Sequence, residues 1–419
     1  MLSFLVQNAR WLGAGALLTL ASGFGQTWFI ALFAGFIKDE HGLSDGAWGS
    51  LYTIATLAAA ALMFWRGGLA DRMPLGRLAP ATAAVFALAA LGFALGSSIA
   101  VLLVSLFALR FCGQGMFSHI AMTAMGRWFE ARRGQAVAIS NLGHPAGEVI
   151  LPLFAVFMIG AVGWHTTWLV IAAILALVAV PALAILLSEG RTPKGRAGVV
   201  DRPGLGGRHW TRRDASRHWL LPALVPVILT PGFIGTVVFF QQVNIADAKG
   251  WTLTEMSLGY PAYASMTVVA ALAAGWAMDR FGPHRLLPVL FVPMAAGLTF
   301  IAAAGDVLGW YLALALLGTS QGMTASLWGA FLPAVYGTRH LGAVRALVAT
   351  GMVVATAIGP GVTGILIDKG IAFPDQAPVF AVWCVALAAF ATMTERRLAR
   401  ELHVPRGGTD SSSPSQTFC

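Results

Sequence analysis

Apolar runs long enough to cross a bilayer follow one another through this chain, and that succession limits its fold more than any other feature. A hydrocarbon core of ~30 Å takes about 20 apolar residues per helix. Twelve such runs are predicted, at 9–36, 46–65, 79–97, 99–124, 135–160, 163–187, 219–244, 256–277, 287–303, 308–334, 344–367 and 378–394. None alternates polar and apolar residues as a barrel strand does. Of the 419 residues 57% are hydrophobic and 11% charged, so the solvent of this chain is lipid. The first run is too long for the apolar core of a signal peptide and is expected to be retained.

The formal net charge of +9 raises the question of a nucleic-acid partner, and the positions of the basic residues answer it. Lys38, Lys249 and Lys369 fall in loops on one side, Arg110 falls within a run, and the other Lys and Arg fall on the opposite side or at its edge. By the positive-inside rule both termini are expected in the cytoplasm. No nucleic-acid partner is expected; the lipid bilayer, a small-molecule substrate and protons are, with the chain working as a monomer. Abundant Arg, Ala and Gly suit a multi-pass protein of a bacterial inner (plasma) membrane. Cys112, Cys384 and Cys419 indicate no disulfide framework.

Residues 188–218 form a polar, basic stretch and are expected to be a mobile cytoplasmic linker between an N-terminal half (1–187) and a C-terminal half (219–394). The tail, 395–419, is expected to be cytoplasmic and disordered. Landmarks recur between the halves at one offset. Gly42 answers to Gly250, Asp71-Arg72 to Asp279-Arg280 and Arg77 to Arg285, all at 208, and Gln114 to Gln321 at 207. Two parallel six-helix repeats leave a central cavity between them, the geometry of a carrier.

The run Gly67-Gly68-Leu69-Ala70-Asp71-Arg72-Met73-Pro74-Leu75-Gly76-Arg77 resembles the loop signature of the major facilitator superfamily, with a degenerate copy from Gly275 to Arg285. Arg110-Phe111-Cys112-Gly113-Gln114-Gly115 resembles that family's intramembrane arginine motif, and Gly134, Gly143 and Gly147 its antiporter glycine motif, from which the chain departs at Glu148. Gly25 to Ile30 and Arg127 to Gly134 are similar to carriers of monocarboxylates and other small organic anions. The resemblance implies an all-α integral membrane protein of the major facilitator fold. It also implies a cytoplasmic gate at Asp71, Arg72, Arg77, Asp279, Arg280 and Arg285, and a cavity bounded by the first, fourth, seventh and tenth helices.

Two charges lie deep within the runs, Arg110 and Glu148, and each would cost about 2.5–3.5 kcal/mol if left in lipid. Counted at 1.5 Å per residue from the ends of their runs, both lie about 18 Å inside, so a direct pair is feasible. Glu148 is expected to carry a proton as it alternates between Arg110 and water, and Arg110 to take a substrate carboxylate; a permanent structural salt bridge is the alternative. His144, one helical turn before Glu148, is placed to bond to it. His119 is read as packing. Gln26, Thr27, Gln114, Gln241, Gln242, Asn244 and Gln321 are expected, as a set, to line the cavity, with hydrogen bonding between helices as the alternative for any one of them.

No enzyme signature, cofactor motif or metal-ligand spacing is present. Proton-coupled uptake of a small organic anion by alternating access is the leading expectation. Proton-driven export of a hydrophobic drug is the alternative, followed by a transporter-like sensor.

Overall fold

The computed structural model describes residues 2–66, 69–129, 132–189 and 203–403. Among them the secondary structure is helical, with no strand. Nine helices are long and apolar enough to cross a membrane, and a bent pair, Phe4–Gly25 with Thr27–His41, makes span 1. The stretch Gly134–Leu186 would be about 80 Å long as one helix, far beyond a bilayer, and it folds back at Gly163 (φ 80°) into spans 5 and 6. Val307–Tyr336 has membrane length but carries Thr319, Ser320 and Gln321 in its middle, which lowers its hydropathy. It is span 10, and the total is twelve.

Spans 2, 3 and 4 are Asp45–Arg66, Leu75–Leu95 and Ile99–Trp128; spans 7, 8 and 9 are Leu220–Phe240, Leu253–Phe281 and Pro283–Ala303; spans 11 and 12 are Leu341–Asp368 and Phe373–Glu401. The repeat is written into the backbone. Gly42 and Gly250 end their helices in the left-handed region (φ 62° and 70°), where a side chain would strain the turn. Ser44 and Thr252 then start the next helix in each half.

The halves meet near these two turns, here termed the hairpin end. Asp368, closing span 11, accepts from Ser44 Oγ at 2.7 Å and from the Gly46 amide at 3.0 Å, a carboxylate set on the N-terminus of span 2. Thr53 Oγ1 donates to the Ala357 carbonyl at 2.6 Å. Gly49 lies so close to the backbone of Pro360 and Gly361 that a Cβ there would sit 2.7 Å from the Pro360 carbonyl carbon. Spans 2 and 11 thereby seal the hairpin end.

At the opposite, basic end the structure departs from two expectations. Part of the stretch 188–218 is ordered: Thr211 and Asp214 form a capping box for the short helix Arg212–Arg217, and the buried Trp210 donates its backbone amide to Tyr336 at the end of span 10. Residues 190–202 lie outside the described residues. The last helix also runs on to His403, nine residues past the expected boundary at 394. Glu401 accepts from Trp219 Nε1 at 2.8 Å, Arg397 lies 4.0 Å over the Trp219 ring, and Glu395 is 3.7 Å from His284, so the extension is held from the side. Residues 404–419, which include the Gly- and Ser-rich end, lie outside the described residues.

Candidate functional site

Between the halves lies a cavity of about 390 Å³. The N-terminal half contributes Gln26, Thr27, Trp28, Gln114, His144 and Glu148 to its wall. The C-terminal half contributes Thr236 and Phe239 from span 7, Tyr263 from span 8, Gln321, Thr324 and Trp328 from span 10, and Met352 and Thr356 from span 11.

Span 1 is broken where it meets this cavity. A 3-10 turn, Ser22–Gly25, ends at Gln26, which is extended (φ −84°, ψ 154°), and helix resumes at Thr27. The break aims Gln26, Thr27 and Trp28 inward and frees the last carbonyls of the first segment. Span 4 answers with a π-wound segment, Arg110–Phe117, which changes the phase of the helix beside the break. The close approach needs glycine on both sides, since a Cβ on Gly25 would lie 2.8 Å from Gly113 Cα. Arg110 Nη1 donates to the freed Gly25 carbonyl at 2.8 Å. Its guanidinium carbon lies 5.0 Å from the Tyr52 ring centroid, and the Tyr52 hydroxyl shares a 2.6 Å hydrogen bond with Thr27 Oγ1.

Span 5 presents its two ionisable residues for a simple geometric reason. Gly143 and Gly147, four residues apart, form the face against which span 1 packs, at Leu20. His144 and Glu148 follow each glycine by one residue and so point along the adjacent face, into the cavity. His144 Nε2 is 3.5 Å from Glu148 Oε1. The Glu148 side chain is 7% exposed and that of His144 35%, so the imidazole stands nearer the water.

The expected Arg110–Glu148 pair does not form. Arg110 is buried behind span 1, does not line the cavity, and leaves Nε and Nη2 without a hydrogen-bond partner. Depth counted along the chain gave the height of each charge in the membrane but not its direction around the helix axis. The carbonyl freed by the break in span 1 is the nearer acceptor.

Gln26, Thr27, Gln114 and Gln321 stand on the cavity wall, whereas Gln241, Gln242 and Asn244 do not. Gln241 donates to Thr363 Oγ1 at 2.8 Å, and Asn244 Oδ1 accepts from the Phe373 amide at 2.8 Å. Gln242 donates to the Trp28 carbonyl at 3.1 Å and accepts from the Tyr260 hydroxyl at 2.8 Å. Tyr260 also reaches that carbonyl, at 3.2 Å, so the pair ties the halves together on the hairpin side. The helix of span 7 pauses at Gln241, which turns its polar tail off the cavity face.

Sequence reasoning missed Tyr263, Thr236, Thr324, Thr356 and Trp328 in the wall, and Tyr52 behind it. Tyr52 and Tyr260 stand 208 apart, so the repeat offset was a signal for those two. The indole N–H groups of Trp28 and Trp328 are buried at the cavity wall without an acceptor.

Of the gate residues, the side chains of Asp71 and Arg72 lie outside the described residues. Arg77, Asp279, Arg280 and Arg285 are exposed. Arg280 lies over the rings of Trp276 and Phe281, at 5.9 and 5.8 Å, on its own helix. Among the described residues none of these four side chains reaches across to the other half. Arg127 donates to the Ala70 carbonyl at 2.9 Å, joining span 4 to the loop after span 2.

The family model for the Major Facilitator Superfamily matches this chain twice, over residues 15–246 and 228–413. A probable sulfoacetate transporter of Cupriavidus necator is 24% identical over 363 residues, 81% of this chain and 83% of its own length. The 4-hydroxybenzoate transporter of Pseudomonas putida is 27% identical over 68% of this chain and 69% of its own. The crystal structure of a bacterial homologue of the human lysosomal transporter Spinster, inward-facing and unoccupied, superposes with a TM-score of 0.71 at 15% identity, covering 95% of this chain and 99% of that one.

Proposed function

This chain belongs to the Major Facilitator Superfamily of transporters, and we propose that it carries a small organic anion together with a proton through the cavity around Glu148. One observation carries the reading. Among the described residues, Glu148 and His144 are the one acid–imidazole pair on a wall whose other polar groups are neutral amides, hydroxyls and indoles. An unprotonated Glu148 repels an anion held in that space, so the anion binds well only when the pair has gained a proton. Proton coupling then follows from electrostatics.

The substrate class rests on donors. Gln26, Gln114 and Gln321 offer amide N–H groups from three spans. Carboxylate and sulfonate oxygens satisfy such donors, and the relatives named for sulfoacetate and 4-hydroxybenzoate carry those groups. The basic end faces the cytoplasm by the positive-inside rule, in a bacterial inner membrane, with both termini on that side. The chain acts as a monomer, since the whole cavity is formed within it.

The test is proton uptake by proteoliposomes loaded with a pH dye, challenged with a panel of small carboxylates and sulfonates. Acidification that depends on a member of the panel supports the proposal. No response to any of them, with proton movement driven instead by hydrophobic cations, replaces it with drug export, a reading favoured by the match over 58% of this chain to a multidrug resistance protein B homologue of Mycobacterium tuberculosis.

A further inference from the structure

Outside the central cavity, two apolar cavities of about 610 and 440 Å³ adjoin along the lipid-facing side of span 7. Val225 and Leu229 wall both, so they form one groove. Toward the membrane interior the groove runs between spans 7, 11 and 12 and ends at Phe380 and Trp383. Toward the basic end it passes Leu347 of span 11 and opens at Ser216. Val225 is 45% exposed and Trp383 49%, so the groove is open to the hydrocarbon and not sealed inside the bundle. Its length along span 7, from Leu221 to Ile234, is about 20 Å at 1.5 Å per residue, more than half of a ~30 Å hydrocarbon core.

What stands at the mouth separates one occupant from the others. Ser216 belongs to the short helix Arg212–Arg217. Arg213 lies one turn before Ser216 on the same face, and Arg217 follows it directly. Both are exposed, and among the described residues neither has an ion-pair partner. The carboxylate of their helix, Asp214, is engaged by the hydroxyl and amide of Thr211. A neutral hydrophobic compound would find the groove but would leave the arginines unused. A phosphate at the membrane surface, attached to an acyl chain that descends from it, meets both features.

We propose that this groove binds one anionic phospholipid, with an acyl chain against Val225 and Leu229 and its phosphate on Arg213 and Arg217. The site lies on the C-terminal half and the ordered end of the stretch 188–218, away from the central cavity.

The experiment is native mass spectrometry of the full chain in a neutral detergent, titrated with phosphatidylglycerol and with phosphatidylcholine of the same acyl chains. One phosphatidylglycerol is expected to be retained in preference to phosphatidylcholine. Replacing both arginines, Arg213→Gln with Arg217→Gln, is expected to weaken phosphatidylglycerol about thirtyfold and phosphatidylcholine, whose trimethylammonium offsets its phosphate, by less. Val225→Trp, which fills the groove from an exposed position, is expected to weaken both lipids. Equal binding of the two lipids by the intact chain overturns the proposal. So does a preference that survives the double replacement, or binding that Val225→Trp leaves unchanged. Elution volume and Tm of each variant report that it is folded.

Discussion

Replacing Glu148 with Gln keeps the shape of the side chain and removes the charge that, under the proposed function, competes with an anion for the cavity. The cavity's volume of about 390 Å³ corresponds to a sphere of about 4.5 Å radius, which puts a bound anionic group on the order of 6 Å from the Glu148 carboxylate. At an effective dielectric constant of about 20, two unit charges at that distance repel by about 2.8 kcal/mol, on the order of a hundredfold in affinity. The comparison belongs at pH 8.5, above the ordinary range of both imidazole and carboxyl groups. There Glu148→Gln is expected to bind the substrate identified in the dye assay about a hundredfold more tightly than the intact protein, measured by titration calorimetry in detergent. It is also expected to exchange labelled substrate across the membrane while no longer moving protons. Equal affinities at pH 8.5 would refute the electrostatic reasoning. Proton movement that persists in the folded variant would show that another group carries the proton.

Asp368→Asn removes the carboxylate set on the start of span 2 by Ser44 and Gly46, and hydrogen bonds to a charged group contribute about 1.5–3 kcal/mol. The distance between spin labels on spans 2 and 11 at the hairpin end is expected to shift toward a separated population by about tenfold or more, and an unchanged distribution counts against Asp368 as a latch. Arg110→Lys keeps the charge but loses the planar contact with Tyr52 and the reach to Gly25, with an expected loss of about 1–3 kcal/mol read as a fall in Tm. Because Arg110 positions the break in span 1 and does not touch the cavity, this variant is expected to keep the pH dependence of substrate binding while its affinity falls; loss of the pH dependence would place Arg110 in the proton path.

The spans and the repeat were legible because lipid imposes a strong, one-dimensional signal. Hydropathy located the runs, and the offset of 208 aligned two turns whose glycines prove to share a left-handed conformation. Glu148 with His144 was legible for the same reason, since a helical turn is a local rule and both residues lie on one regular helix. The partner of Arg110 was not. Its direction depends on the π-wound segment of span 4 and on the break at Gln26, where Gly25 and Gly113 touch, and the motifs that hold these two glycines do not reveal that contact in the sequence. The amides of span 7 failed differently. Gln241, Gln242 and Asn244 lie past the point where the helix pauses, so these amides, expected on the cavity wall, bond instead to Thr363, Tyr260 and a backbone amide. The order of 203–218 was hidden because a charged, Gly-containing stretch reads as a linker whether or not a tryptophan anchors it, as Trp210 does here.

The Glu148–His144 pair bears on what crosses the membrane as well as on what binds. A carrier that rocks between two states must bury its central site on every cycle, loaded and empty, and a net charge there is costly. With one proton held between Glu148 and His144, 3.5 Å apart, the empty site is neutral and can be occluded. A bound anion adds one negative charge, and one further proton on the pair restores neutrality. Both crossings are then electrically silent, with one proton moved per anion. The consequence is measurable in proteoliposomes with a potassium gradient and valinomycin. A net charge moving through the field gains or loses about 2.3 kcal/mol per 100 mV, enough to change a rate by up to tens of times. The initial rate of substrate uptake at fixed pH gradient is expected to stay the same at zero and at about 100 mV of either sign. A rate that rises severalfold when the interior is made negative means that more than one proton accompanies each anion, and a neutral empty pair is then no longer the reason for the place of His144.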